Sequence, residues 1–165
     1  MPKKFQVYLL FSCLLFTADR LTKYLALKKL PGEGVFLTDY FKLRAFFNPN
    51  LSFSLPLPNL PAIVLAILVI GLLIYLLAVI ISRRQPGSPA VMLMLTGALA
   101  NLLDRFRFGA IVDFIDLSFF PAFNLADAYI VSGALWLILS FKRATSKPKP
   151  VPAADRPTPH NPPND

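Results

Sequence analysis

Four aspartates, Asp104, Asp113, Asp116 and Asp127, crowd into one short segment of this 165-residue chain. Two of them close Asn-x-x-Asp units: Asn101-Leu-Leu-Asp104 ends one very apolar run, and Asn124-Leu-Ala-Asp127 opens the next. Carboxyl groups held close together do not both ionise readily, so a pair shares one proton. The ionised member can draw a proton from water, while the protonated member polarises a carbonyl and later protonates the leaving amine. Such a pair supports amide hydrolysis without metal, serine or cysteine. Charge is costly on the lipid face of a membrane helix, and where it persists it faces protein or water. The segment therefore points to carboxylate chemistry at a membrane face.

The rest of the chain has the composition to place that segment in a membrane. Hydrophobic residues make up 55% of it and the mean hydropathy is +0.56, rare for a soluble domain of this size. The formal net charge of +8 sits in short clusters beside apolar runs: Lys3-Lys4, Arg83-Arg84, Lys142-Arg143, Lys147 and Lys149. That pattern suits cytoplasmic retention of basic loops and contact with anionic headgroups, not a nucleic-acid surface. The lone Cys13 excludes an intramolecular disulfide and reads as a small buried residue. The only histidine, His160, lies in the C-terminal tail, which removes His-containing metal motifs and Ser-His catalysis. No cofactor is expected.

The pattern predicts an all-α membrane protein with four transmembrane helices, at about residues 5–28, 60–82, 89–107 and 124–141. A small extracytoplasmic β-rich segment, 33–56, is expected between the first two. Residues 1–141 then make a single integral membrane domain, and 142–165 a disordered Pro-rich cytoplasmic tail. Lys3-Lys4 before an apolar run imitates a signal peptide, but Thr17-Ala-Asp-Arg-Leu-Thr-Lys23 is a poor cleavage site, so the run reads as an uncleaved anchor. A span needs about 20 residues, which puts Asp19, Arg20 and Lys23 near its outer end. Asp19 and Lys23, at i and i+4, are placed to pair. Phe41–Phe46 and Leu51–Leu55 alternate like strands around a turn at Phe47-Asn-Pro-Asn50.

The second helix carries no charge, has Pro61 at its start and ends at the basic loop Ser82–Gly87. The third has Ser88 as a cap and Pro89 at its first position. It must include Asn101 and Asp104 to reach a full span, and these share a face with Arg105. Phe106–Phe123 reads as a short external connection. Asn124 and Asp127 then stand at the N-cap and third position of the last helix, the spacing of a capping box. Both termini are expected in the cytoplasm.

Helix lengths bring Asp19, Asn101, Asp104, Asp113 and Asp127 to one membrane level, though they come from distant parts of the chain. On residue type alone Asp116 competes with Asp113. A proton-coupled transporter subunit would place its charges near mid-membrane on broken helices, whereas these crowd one face. A catalytically silent membrane binding protein of the same fold is a further alternative, one that would insert normally and cleave nothing.

Several stretches resemble the motif set of the lipoprotein signal peptidase (signal peptidase II) family. They are Asn48-Pro-Asn-Leu-Ser-Phe-Ser54, Gly97-Ala-Leu-Ala-Asn-Leu-Leu-Asp-Arg105 with Gly109-Ala-Ile-Val-Asp-Phe-Ile-Asp116, Phe123-Asn-Leu-Ala-Asp-Ala128 and Asp19-Arg-Leu-Thr-Lys23. The resemblance runs from the first helix through the fourth. It implies a bacterial inner-membrane aspartic endopeptidase that cuts prolipoproteins just before a diacylglyceryl-modified cysteine. It also implies Asp113 and Asp127 as the catalytic pair, preferring Asp113 over Asp116. Asn48, Asn101, Asp104, Arg105, Asn124, Asp19 and Lys23 fall on positions that support or line the site. The expected partners are lipid-modified prolipoproteins and membrane lipids, with no nucleic acid, and the expected state is a monomer. The chain departs from the family pattern at Asn50-Leu51, usually a small Gly-Ala pair, at Thr96 and Ala100, usually glycine, and at Arg20, often an amide.

Overall fold

The computed structural model describes residues 3–49 and 58–145. Four helices dominate: α1 (Lys3–Lys29), α2 (Asn59–Ser82), α3 (Ser88–Phe108) and α4 (Leu125–Thr145). Four short strands complete the fold: β1 (Val35–Thr38), β2 (Phe41–Asn48), β3 (Ile111–Leu117) and β4 (Phe120–Phe123). They form one antiparallel sheet in the order β1-β2-β3-β4. Both longer connections, α1 to α2 and α3 to α4, feed this sheet, while α2 and α3 are joined only by residues 83–87. The sheet therefore caps one end of the helices and the short loop lies at the other.

This corrects the expectation for Phe106–Phe123. α3 runs on to Phe108, and the rest is a hairpin supplying half of the sheet. The alternating segment Phe41–Phe46 belongs to β2, whereas Leu51–Leu55 and Asn50 lie outside the described residues. So does the Pro-rich tail from residue 146 onward; residues 142–145 continue α4.

Local chemistry explains the helix ends. Gly87, at φ +115°, is the residue that caps α3, so Ser88 and Pro89 occupy its first two positions instead of the cap and the first position. Gly109, at φ +70°, ends α3 in the left-handed region and donates its N–H to the Arg105 carbonyl at 3.0 Å. α2 carries no charge and packs Leu73 and Ile80 against Val91 of α3, with Leu137 and Phe141 of α4 alongside.

α3 is the central helix, touching α1, α2 and α4. Its crossing with α4 is close because Gly97 has no side chain. A Cβ there would collide with the Ala126 carbonyl oxygen and reach within 2.8 Å of Ile130. Gly133 of α4 does the same lower down, where a Cβ would lie 2.7 Å from the Ala90 carbonyl. Thr96 is buried with its hydroxyl donating to the Met92 carbonyl at 2.8 Å, and Ala100 is fully buried.

α2 and residues Leu125–Lys142 of α4 are each long and apolar enough to cross a membrane. α1 and α3 interrupt their apolar runs with charged residues, and those residues meet each other. Large apolar side chains such as Leu10, Phe11, Leu68, Leu72, Val131 and Leu135 point outward. Cys13 is exposed on that outer surface of α1, not buried as its residue type suggested.

Candidate active site

Asp113 lies on β3, opposite Phe46 of β2. One residue is added to β2 between Leu43 and Phe46, a bulge of the kind that re-aims side chains beside a site. Asp113 is only 1% exposed. Each of its oxygens accepts one amide hydrogen bond: Asn48 Nδ2 donates to Oδ2 at 2.9 Å and Asn124 Nδ2 to Oδ1 at 2.7 Å. Asp116, three residues on, projects from the other face of the strand and pairs with Arg44 at 3.3 Å. The two aspartates that compete by residue type are thus separated, one in the interior and one in a half-exposed ion pair.

Asp127 reaches the same place from the first turn of α4. Its Oδ2 accepts from the Asn124 backbone N–H at 3.2 Å, and the Asn124 Oδ1 accepts from the Asp127 N–H at 3.1 Å. This reciprocal pair is a capping box with aspartate in place of glutamate. The remaining oxygen, Oδ1, accepts from Asn101 Nδ2 of α3 at 2.8 Å. Capping and site formation are therefore the same set of contacts.

Beneath the two aspartates lies a buried ionic cluster between α1 and α3. Lys23 donates to Asp104 Oδ2 at 2.7 Å and to Asn101 Oδ1 at 3.0 Å, and stands 3.2 Å from Asp19 Oδ2. Asn124 Nδ2 also donates to Asn101 Oδ1 at 3.3 Å, so Asn101 and Asn124 link the cluster to both upper aspartates. Asp19, Lys23 and Asp104 are at most 2% exposed. A buried charge without partners costs several kcal/mol, which the cluster avoids by pairing every member. Arg105 is also buried and donates to the Pro49 carbonyl at 3.4 Å, tying α3 to the end of β2.

Asp113 and Asp127 both line a cavity of about 150 Å³. Asn48, Ile111, Phe120, Phe123, Ile130 and Val131 form much of its wall. Burial, aided by the nearby negative charge of Asp127, raises the Asp113 carboxyl to about 7; the Asn48 and Asn124 amides and Lys23 oppose that rise. A carboxyl that holds its proton near neutrality beside a second carboxyl is the electrostatic arrangement of a shared-proton pair.

A family model described as signal peptidase (SPase) II matches residues 11–143. The chain belongs to the signal peptidase II family. A lipoprotein signal peptidase of Moorella thermoacetica is 38% identical over 136 residues, 79% of this chain and 89% of that one. Another, from Aeromonas hydrophila, is 33% identical over 157 residues, 88% and 93% of the two chains. Two solved structures of bacterial membrane enzymes, determined by the in meso method at 2.3 and 1.9 Å, share the fold. Their TM-scores are 0.73 and 0.66 at 23% and 22% identity, covering 89% and 82% of this chain and 95% and 92% of those chains.

The residues expected to form a site converge in this chain. Asp113 and Asp127 line one cavity; Asn48, Asn101 and Asn124 hold their oxygens; Asp19, Lys23 and Asp104 lie directly behind. Arg105 sits beside them and donates to the Pro49 carbonyl in the loop after β2. Residue type did not single out Arg20 as part of this group. It bridges Asp19 and Asp104 at 2.6 Å each. Charge parity was the available signal, because two buried carboxylates beside one lysine leave an unmatched negative charge.

Proposed function

We propose that this chain is a membrane aspartic endopeptidase that removes signal peptides from diacylglyceryl-modified prolipoproteins, cutting before the lipid-bearing cysteine. Asp113 and Asp127 are its catalytic pair. The observation that carries this reading is the single cavity lined by both aspartates, with each carboxyl oxygen taking one donor from an amide or the backbone. An ionised carboxyl oxygen accepts two hydrogen bonds, so each keeps a lone pair for a water or a proton.

Asp113, raised to about 7, carries the shared proton, and Asp127 acts as the base. Asp127 takes a proton from a water held between them as its oxygen attacks the scissile carbonyl. Asp113 donates its proton to the carbonyl oxygen. The tetrahedral intermediate collapses as the pair protonates the leaving amine. The amides of Asn48, Asn101 and Asn124 hold both carboxyls in place without supplying charge, which keeps the pair balanced between its two protonation states. Low dielectric around the buried pair strengthens each of these interactions.

All four helices cross the bilayer, residues 1–141 form one integral membrane domain, and the sheet end with the site faces the extracytoplasmic side of the inner membrane. Val131 and Leu135 are exposed on α4, and Val131 also lines the cavity. That gives a lipid-bound acyl chain an apolar path from the bilayer to the aspartates. The enzyme works as a monomer with membrane lipid around it.

The test is a cleavage assay in detergent or lipid with a diacylglyceryl-modified prolipoprotein and its unlipidated twin. Wild type is expected to cut only the lipidated precursor, and Asp127→Asn neither. Cleavage of both at equal rates would sink the lipid dependence. Full activity of Asp127→Asn or Asp113→Asn would sink the dyad.

A further inference from the structure

The ionic cluster behind the aspartates has a symmetry that its residue types do not announce. Asp19 and Asp104 come from different helices, yet each carboxylate takes the same three kinds of partner. Asp19 Oδ2 receives Arg20 Nη2 at 2.6 Å and Arg20 Nε at 3.2 Å, and faces Lys23 at 3.2 Å; its Oδ1 accepts the Ala126 N–H at 3.0 Å. Asp104 Oδ1 receives Arg20 Nη1 at 2.6 Å; its Oδ2 receives Lys23 at 2.7 Å and the Val112 N–H at 3.3 Å. Ala126 immediately precedes Asp127, and Val112 immediately precedes Asp113. Each carboxylate therefore grips the backbone one residue before one aspartate of the pair, and one guanidinium spans the two carboxylates.

We propose that Arg20 is a positioning residue for both catalytic aspartates, acting through Asp19 and Asp104 on the two amides that precede them. The proposal rests on the assignment of Asp113 and Asp127 as the catalytic pair. Arg20 touches neither aspartate; its fork fixes how far apart Asp19 and Asp104 stand, and hence the spacing of the β3 and α4 segments that carry the pair. Planarity matters here. A guanidinium donates along several fixed directions at once, whereas a single ammonium is a point charge. Lys23 supplies charge to both carboxylates and to Asn101, and Arg20 adds the rigid span between them. The ring of Phe16, 5.7 Å from the guanidinium carbon, backs it on α1. With Arg20 present the four side chains sum to zero charge; without it two buried carboxylates share one lysine.

The experiment compares wild type, Arg20→Gln and Arg20→Lys by steady-state cleavage of the lipidated precursor and by amide hydrogen exchange at Val112 and Ala126. Arg20→Gln is expected to lower kcat about 10- to 100-fold with KM within about threefold, the scale for residues that orient a reacting group. Arg20→Lys, with the charge but not the fork, is expected to fall between the two. Both amides are expected to exchange at least about tenfold faster in Arg20→Gln, while α2 amides keep wild-type rates. A wild-type kcat in Arg20→Gln overturns the proposal. So does a raised KM at unchanged kcat, which would put Arg20 on the substrate. Should Arg20→Gln fail to fold, Arg20→Lys decides: a lowered kcat with faster exchange supports the proposal, and wild-type values for both overturn it. If wild type cuts no precursor, the functional reading fails by itself. The exchange rates then decide whether Arg20 holds the two segments.

Discussion

Asp113 is the residue on which pH should act most directly. Its carboxyl sits at about 7 in the folded chain against an ordinary value of 3.8, chiefly through burial. With Asp113 as the proton-bearing member, activity should fall as pH rises through about 7, when that proton leaves. The same shift has a stability sign. The folded state binds this proton more tightly than the unfolded chain does, so the stabilisation is fully present below pH 3.8 and is lost as pH climbs through 7. Over that window of about three pH units the loss is at most ~4 kcal/mol. Unfolding of wild type and Asp113→Asn in detergent, at pH 4 and pH 8, should show their difference shrinking toward wild type at low pH. A parallel pH course for the two would show that Asp113 titrates normally. Asn48 opposes the shift by donating to Oδ2. Asn48→Ala should therefore move the alkaline limb of the activity profile upward while lowering kcat, because one carboxyl oxygen loses its anchor.

The α3–α4 crossing is the element-scale determinant of the site. Gly97 allows the backbones to approach until the Ala126 carbonyl occupies the space of a side chain, and Asn101, one turn further along α3, then reaches Asp127. Gly97→Leu should splay this crossing, destabilise the fold by roughly 1–3 kcal/mol and remove most cleavage. Thermal unfolding in detergent beside the cleavage assay checks both; wild-type activity would show that the approach is not needed. Much of this level was legible in the sequence. The uncharged run of α2, Pro89 in the first turn of α3 and the Asn124–Asp127 spacing all mark helices and their ends, although Gly87 and not Ser88 caps α3. β3 was not legible, for a physical reason. A half-buried strand alternates, but Val112, Asp113 and Phe114 are consecutive and all buried, because the sheet is covered on both sides just where the aspartate is needed. Two acidic residues in seven then looked like a solvated loop. Arg20 escaped notice for another reason. Adjacent helix positions do not face each other, yet a side chain this long curls back onto Asp19 and still reaches α3.

At the scale of the whole molecule, connectivity and charge must agree on which end of the bundle faces the cytoplasm. The chain passes to the sheet end twice and to the opposite end once between α2 and α3, so successive helices alternate in direction. Counting cations alone is ambiguous, since Lys28, Lys29, Lys42, Arg44 and Arg107 all lie toward the sheet end. Several of these are engaged locally: Lys42 lies 4.6 Å over Phe36, Lys28 5.5 Å over Tyr24, and Arg44 pairs with Asp116. The sheet end also exposes Phe36, Tyr40 and Phe119, the aromatic equipment of a membrane interface. Arg83 and Arg84, by contrast, occupy a five-residue loop with no acidic neighbour, the kind of short segment whose charge sets orientation most strongly. That loop should therefore be cytoplasmic and the sheet extracytoplasmic. In a Cys13→Ser background, Ser118→Cys in the β3–β4 turn and Gln85→Cys in the short loop are both exposed positions. A membrane-impermeant maleimide applied to intact spheroplasts should label the first at once and the second only after permeabilisation. The reverse pattern would turn the bundle over and put both aspartates at the cytoplasmic face.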